Sequence, residues 1–128
     1  MIIRVRNKHI LEIDDFQFRC CIGKRGLSNN KKEGDKCTPK GKFMLNKIFY
    51  RADRILKFKS KIEKIKIRKN MGWCDDPKSN KYNKLINFPF KYSAEKLYRR
   101  ENIYDIILVL NFNMNPVKKN KGSAIFIH

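Results

Sequence analysis

The stretch "IYDIILVLNFN", residues 103–113, is apolar at every position from Ile106 to Leu110. A strand with one solvated face alternates apolar and polar side chains, whereas a strand covered on both faces is apolar throughout. We therefore predict a central strand of a sheet here. The closing stretch "SAIFIH", residues 123–128, has a similar character and predicts another strand, which carries His128 at its end.

Working outward from these two stretches, the chain indicates further short strands. Apolar and polar residues alternate across residues 3–13 on both sides of a polar "RNKH" break, which predicts a hairpin. "FQFRCCIG", residues 16–23, predicts a strand that continues to Gly23, and "KFMLNKIFYR", residues 42–51, predicts another. "KFKSKIEKIKIRKN", residues 57–70, fits either a helix or a strand.

The remaining segments predict a loop, a turn and a helix. Residues 23–41, rich in Gly and Lys, predict a long loop, and "WCDDPKSNKYN", residues 73–83, has the composition of a turn. "SAEKLYRREN", residues 93–102, predicts a short helix with Ser93 as its N-cap. A chain of 128 residues is the size of one ordinary domain. We therefore expect a single domain over residues 1–128, mainly β, with one or two short helices.

The net charge of +19 has two possible explanations. Clustered Lys and Arg bind phosphate backbones by releasing counterions, which would indicate a polyanion-binding module. The basic residues are however mostly Lys and are spread along the whole chain, as a biased base composition of the gene would also produce. The sequence shows no RNP-type aromatic motif, helix-turn-helix pattern or zinc-finger spacing, so we expect no specific nucleic-acid partner.

Cysteine usage and hydropathy exclude several other classes of protein. The cysteines form no CxxC pair, and no His stands at zinc-finger spacing, so we expect free thiols, no metal and no cofactor. Charged residues interrupt the first 14 positions, so the N-terminus does not match a signal peptide, and no apolar run reaches transmembrane length. We expect a monomer without a membrane segment. The cysteines are Cys20, Cys21, Cys37 and Cys74.

Single residues that could take part in catalysis indicate little about function when taken alone. Asp75 and Asp76 are adjacent, so on a turn their carboxylates diverge and cannot share a proton as a catalytic dyad does. Capping the turn is the simpler role for them. Cys74 could act as a nucleophile only with a histidine in hydrogen-bond reach, and a Cys beside Trp73 is more often inert core.

The order and spacing of several stretches together are more specific. "GDKCTPKGKF" at 34–43, "GWCDDPKSNKYNKL" at 72–85, "SAEKLYRRENIYDIILVLNFN" at 93–113 and "GSAIFIH" at 122–128 occur in this order. In this set the sequence resembles the L,D-transpeptidase catalytic-domain family, the YkuD-like cysteine transpeptidases of bacterial cell-wall synthesis. The resemblance covers nearly the whole chain after residue 18 and implies a β-sandwich-like fold.

The resemblance also implies a function and a set of site residues. Members of the family cross-link peptidoglycan stem peptides through an acyl-enzyme on a cysteine, without a cofactor, and they act in the periplasm or cell envelope. His128 corresponds to the histidine that pairs with the catalytic thiol. The residues that the resemblance suggests for substrate binding are Trp73, Asp75, Tyr82, Asn83, Gly122 and Ser123.

The sequence departs from the family pattern at the nucleophile. In the family, a Gly-Cys motif preceded by Ser or Thr follows the histidine, and none of the four cysteines here stands in such a motif. We therefore expect a chain truncated before its nucleophile, lacking the C-terminal portion of the fold and inactive as it stands. The alternatives are a basic polyanion-binding module and a non-catalytic binder of wall peptides.

Overall fold

The computed structural model describes all residues, 1–128, and the chain divides into two compact units, Met1–Gly41 and Lys42–His128. Strands dominate both units, and the one helical element is a single 3₁₀ turn. The prediction of a mainly β fold is therefore confirmed. The single domain over residues 1–128 stays a prediction. The structure contains no helix with the length and apolar character that crossing a bilayer requires.

The first unit begins with an antiparallel meander in the order β1–β2–β3. The hairpin predicted for residues 3–13 is confirmed, and its turn uses the positive backbone φ angles of Asn7 and Lys8. The strand predicted to reach Gly23 is wrong in its extent, because pairing ends at Arg19. At Gly23 a Cβ atom would lie 2.4 Å from the Lys36 carbonyl oxygen, so another part of the chain occupies the space beside it. The strands are β1 (Ile3–Arg6), β2 (Ile10–Ile13) and β3 (Phe16–Arg19).

The long loop after β3 is held by a carboxylate. It contains two short strands paired in parallel, β4 (Leu27–Ser28) and β5 (Thr38–Pro39). The carboxylate of Asp35 accepts hydrogen bonds from the Lys31 ammonium at 2.5 Å and from the backbone N–H groups of Lys32 and Cys37 at 2.8 and 2.9 Å. Burial raises the pKa of Asp35, but these donors outweigh burial and hold the pKa at about 2. The loop is therefore ordered by a group that must stay ionised.

This carboxylate makes the stability of the first unit depend on pH. Because the folded pKa of Asp35 lies below that of the unfolded chain, its stabilising effect is complete above about pH 4 and is lost as the pH falls toward 2. We expect Asp35→Asn to reduce this acid dependence, measured as the free energy of urea unfolding at pH 5 and pH 3. Asp15→Asn, at an exposed carboxylate of the same unit that makes no hydrogen bond or ion pair, serves as control. An Asp35→Asn variant with the acid dependence of the wild type would contradict this role.

The second unit contains a four-stranded and a three-stranded sheet. The four-stranded sheet has the order β12–β11–β6–β7 and comprises β6 (Leu45–Tyr50), β7 (Lys64–Lys66), β11 (Ile106–Leu110) and β12 (Phe126–Ile127). The three-stranded sheet has the order β10–β8–β9 and comprises β8 (Met71–Cys74), β9 (Leu85–Asn87) and β10 (Ala94–Lys96). The predicted central strand is confirmed as β11, which lies between β6 and β12. The ambiguous segment 57–70 contains the strand β7, parallel to β6.

Two predictions for the second unit are wrong. The helix predicted for residues 93–102 does not form, because Ala94–Lys96 is β10 and pairs with β8, whose backbone satisfies its hydrogen bonds. The only helical turn is the 3₁₀ turn Asn102–Tyr104, which we call η1. The turn predicted to begin at Trp73 starts later, since Trp73 and Cys74 complete β8. Trp73 pairs with both β9 and β10, and Cys74 pairs with β10.

The core of the second unit combines side chains of both sheets. Its buried cluster contains Phe49 of β6, Trp73 of β8 and Ile107 and Val109 of β11, and Tyr104 of η1 closes one end. Aromatic rings meet edge to face, with centroids 6.1 Å apart for Phe49 and Trp73. Such pairs add about 0.5–1.5 kcal/mol to the effect of burial. The ring of Phe126 in β12 continues the cluster, 5.2 Å from Trp73, and so leads toward His128.

Candidate active site around His128

His128 follows β12 directly and is exposed, and one hydrogen bond and one ring contact orient its imidazole. Strand β12 pairs with β11 in antiparallel register, Leu108 opposite Ile127. The Nδ1 atom of His128 lies 3.0 Å from the carbonyl oxygen of Ile103. A carbonyl oxygen only accepts hydrogen bonds, so Nδ1 carries the proton and a neutral ring keeps its lone pair on Nε2. The arrangement leaves Nε2 as the nitrogen that can take a proton from another group.

Tyr104 supports the ring of His128 from one side. The two rings meet edge to face with centroids 5.1 Å apart. Tyr104 is 6% exposed, and its hydroxyl donates a hydrogen bond to the carboxylate of Glu95 at 2.6 Å. Burial, and then this bond to Glu95, raise the pKa of Tyr104 well above its ordinary value, so its hydroxyl stays protonated. Arg99 lies 3.7 Å from the same carboxylate and balances its charge.

A second support is the buried side chain of Asn83. Its amide oxygen accepts hydrogen bonds from the indole N–H of Trp73 at 2.9 Å and the backbone N–H of Ala124 at 3.1 Å. Its amide nitrogen donates to the carbonyl oxygens of Phe112 and Asn113 at 3.1 and 2.8 Å. All four hydrogen-bonding positions of the amide are therefore used. Asn83 thus ties β8 to the segment after β11 and to the approach into β12.

Tyr82 and Gly122 extend this network. The backbone N–H of Gly122 donates to the hydroxyl oxygen of Tyr82 at 3.0 Å, and the Gly122 carbonyl accepts from the side chain of Asn113 at 2.9 Å. Gly122 has a φ of +107°, a conformation that residues with a Cβ rarely adopt. Tyr82 and Ser123 are buried as well. The chain therefore enters β12 along a path that buried polar groups determine.

The structure thus brings most of the sequence-predicted residues together, but in the interior. Trp73, Tyr82 and Asn83 are between 1% and 4% exposed and bond to other parts of the same unit. In this arrangement they hold the strand that positions His128. Their predicted contact with a substrate, and that of Gly122 and Ser123, stays a prediction.

The adjacent carboxylates of Asp75 and Asp76 differ in their hydrogen bonding. Asp76 accepts hydrogen bonds from the backbone N–H groups of Lys78 at 2.9 Å and Ser93 at 3.5 Å and so caps the turn after β8. The Asp75 backbone N–H donates to the carbonyl of Ser93, and one oxygen of its carboxylate is buried without a hydrogen-bond partner. Asp75 is therefore the predicted site residue whose side chain the network does not satisfy.

The cysteines of this sequence are free thiols, and Cys74 is the buried one. Its sulfur lies 3.9 Å from the carbonyl oxygen of Asp76, and the residue is fully buried. Cys37 similarly faces the carbonyl oxygens of Arg25 and Asp35. A thiol is activated by a basic neighbour, whereas these two thiols have only backbone carbonyl oxygens as hydrogen-bond partners. Within the second unit, Cys74 therefore lacks the surroundings of an activated nucleophile. No group of three His, Cys, Asp or Glu side chains could hold a metal ion.

Sequence reasoning missed the groups that support His128. Glu95 and Arg99 lie in the segment that was wrongly predicted to be a helix. Tyr104 lies in the single turn η1, which is too short to give a periodic pattern in the sequence. The Ile103 carbonyl is a backbone group and leaves no trace in the sequence. The aromatic and charged residues immediately before the predicted central strand were the available signal.

Comparison with known proteins identifies the family. The family model for the YkuD L,D-transpeptidase catalytic domain matches residues 2–128, which is nearly the whole chain. No curated protein and no solved structure matches it. The match spans both sheets of the second unit, the buried network around Asn83 and the strand that ends at His128. The chain therefore belongs to the YkuD family of L,D-transpeptidase catalytic domains.

Proposed function

We propose that this chain binds peptidoglycan stem peptides and that His128 activates a cysteine thiol for attack on a peptide carbonyl. Membership of the YkuD family supports this reaction class. The observation that carries the proposal is the contact of His128 Nδ1 with the Ile103 carbonyl at 3.0 Å. It orients the imidazole with Nε2 free, which is the arrangement that a general base for a thiol requires.

In the proposed reaction, His128 transfers protons and the cysteine forms a thioester with the peptide. The thiol gives its proton to Nε2 of His128, and the imidazolium that forms keeps its Nδ1–H bond to Ile103 and its edge-to-face contact with the Tyr104 ring. The thiolate attacks the peptide carbonyl, and the C–N bond breaks as the leaving amine takes the proton from the imidazolium. A thioester remains. The amine of a second stem peptide then attacks the thioester carbonyl and gives a proton to Nε2 of His128, the C–S bond breaks, and the thiolate takes that proton to regenerate the thiol.

The proposed nucleophile is none of the four cysteines of this sequence. Cys74 is buried against a backbone carbonyl, and the thiol of Cys37 faces two more. We propose a positioning role for Trp73, Tyr82 and Asn83, which hold the approach to β12 from the interior. Gly122 and Ser123 complete that approach. Asp75 is the one residue of the predicted set with a buried carboxylate oxygen that has no hydrogen-bond partner.

Peptide recognition can be tested on the 128-residue chain itself. We expect a stem tetrapeptide to shift the backbone amide resonances of Ile103, Tyr104 and Ile127, because these residues surround His128. A tetrapeptide of unrelated sequence and equal charge serves as control. Equal shifts with both peptides, or none with the stem peptide, would contradict stem-peptide binding near His128.

The basic surface permits a separate test of the polyanion alternative. We expect the affinity for duplex DNA to fall steeply between 50 and 200 mM salt, by about a thousandfold if six phosphates are contacted, and to show no preference for sequence. This is the behaviour of phosphate contacts alone. Fluorescence anisotropy with several unrelated duplexes measures it. Tight binding to one sequence at physiological salt would favour a nucleic-acid-binding function instead.

A further inference from the structure

A cavity of 470 Å³ opens beside the residues that support His128. Its lining, which we call the basic cavity, consists of Lys96, Tyr98, Arg99, Arg100 and Glu101. The guanidinium carbon of Arg99 lies 5.9 Å from the centre of the Tyr104 ring, and the ring of His128 lies 5.1 Å from the same centre. The Tyr104 ring therefore lies near both Arg99, which lines the basic cavity, and His128 of the candidate active site.

The backbone beneath the basic cavity is held by two arginines of a neighbouring turn. The carbonyl oxygen of Arg99 accepts from the guanidinium of Arg51 at 2.6 Å, and those of Arg100 and Glu101 accept from Arg54 at 2.8 and 3.2 Å. Three successive carbonyl oxygens are thus engaged by guanidinium groups. Their negative ends are neutralised, so they do not oppose an anion in the cavity.

Arg51 itself is fixed in place. It is 3% exposed, makes two hydrogen bonds to the carboxylate of Asp53 at 2.8 and 2.7 Å, and stacks its guanidinium on the ring of Tyr98 at 3.7 Å. Tyr98 in turn lines the basic cavity. One wall of the cavity therefore rests on a buried and paired cation.

Two of the three cations that line the basic cavity are unpaired. Arg99 is engaged by the carboxylate of Glu101 at 3.3 Å and by that of Glu95 at 3.7 Å. The side chains of Lys96 and Arg100 make no hydrogen bond or ion pair in the structure, and both are exposed. The only acidic side chain of the lining already pairs with Arg99. Lys96 and Arg100 therefore leave a place for an anionic group from outside the chain.

We propose that Lys96 and Arg100 bind a carboxylate of the peptide whose carbonyl reacts beside His128. This inference rests on the proposed function and adds a specificity site to it. The Arg99 guanidinium and the His128 ring are separated by no more than the sum of their distances to the Tyr104 ring centre. At about 3.3 Å per residue, at most three to four residues of extended peptide are needed to reach from His128 to Arg99, which lines the same cavity as Lys96 and Arg100. Stem peptides carry free carboxylates within such a length, and a phosphate group is the other source of the same anionic chemistry.

The anion site can be tested without reference to peptide chemistry. We expect sodium acetate, compared with sodium chloride at equal ionic strength, to shift the backbone amide resonances of Arg99, Arg100 and Glu101. The shifts should disappear in the double variant Lys96→Gln/Arg100→Gln. They should persist in Arg68→Gln/Lys69→Gln, which removes the same two charges from exposed positions outside the cavity. Equal acetate shifts in wild type and in the cavity variant would overturn the site.

A stem tetrapeptide then tests the specificity role. We expect the peptide with free carboxylates to bind about tenfold more tightly than the same peptide with its carboxylates amidated, because hydrogen bonds to charged groups are the strong ones. In Lys96→Gln/Arg100→Gln the difference should fall below twofold, and in the control pair it should remain. A tenfold difference that survives in the cavity variant would overturn the inference and leave the proposed function intact.

Two further outcomes distinguish a carboxylate ligand from a phosphate ligand, and the anion site from the proposed function. Acetate shifts at the cavity without binding of either peptide would support the anion site and contradict the proposed function. Inorganic phosphate that binds the cavity more than tenfold more tightly than acetate would overturn the assignment to a carboxylate and identify a phosphate-bearing ligand.

Discussion

Replacement of Asn83 by Ala is expected to lower the free energy of unfolding by about 3–4 kcal/mol. The change removes four hydrogen bonds and leaves the indole N–H of Trp73 and the N–H of Ala124 without their acceptor in the interior. Asn83 also has a φ of +56°, a conformation that Asn tolerates better than Ala. The loss therefore combines unsatisfied buried groups with backbone strain.

Urea unfolding followed by the fluorescence of Trp73, the only tryptophan, measures this effect directly. Asn83→Gly separates its two causes, since Gly accepts the positive φ and should be less destabilising than Ala by about 1 kcal/mol. Asn80→Ala, at an exposed position of the same turn, is the matched control and should change stability by less than about 0.5 kcal/mol. A loss below about 1 kcal/mol for Asn83→Ala would show that the network does not hold this region together.

The second large effect concerns His128 in a chain lengthened to contain the Gly-Cys motif of the family. There, His128→Ala should slow acylation of the added cysteine by about 10²–10⁴-fold, because the thiol loses its general base. The other histidine of the sequence, His9, lies exposed in the turn between β1 and β2, so His9→Ala is the matched control and should leave the rate unchanged. The rate is measured with a carbapenem, an inhibitor class that acylates the cysteine of this family. A reduction of less than tenfold would mean that His128 does not activate the thiol.

Strands with a strong local pattern were predictable from the sequence. The alternation across residues 3–13 specifies a hairpin because one face of each strand is apolar. The apolar run from Ile106 to Leu110 specifies a central position, and strands indeed flank β11 on both sides. Ile107 and Val109 of that run are buried, whereas Ile106 is 38% exposed, so the apolar pattern overstates the burial of one face.

Elements that depend on distant partners were not predictable. Residues 94–96 carry side chains that suit a helix, yet β8, some twenty residues earlier in the sequence, supplies the backbone pairing that makes them a strand. The misread segment also hid Glu95 and Arg99. A local pattern shows which face of a segment is apolar, but it does not show which distant strand of the chain pairs with that segment.

The candidate site was also predictable only in part. The resemblance pointed to His128, Asn83 and Tyr82, but the contacts that give them a role join positions far apart in the chain, such as Asn83 with Ala124 and His128 with Ile103. Two of these partners are backbone groups, which any residue provides. The residue types therefore indicated the chemistry, and only the fold indicated that most of the predicted binding residues lie inside it.

Intact-mass spectrometry with a tetrapeptide donor tests the role of His128 most directly. The lengthened chain should gain the mass of a thioester on its added cysteine, His9→Ala should gain the same mass, and His128→Ala should gain little in the same time. The 128-residue chain, with its four cysteines, should gain none. Equal acylation of the lengthened chain with Ala at position 128, or a stoichiometric adduct on Cys74 of the 128-residue chain, would contradict the assignment of His128 as the base for a thiol outside these four.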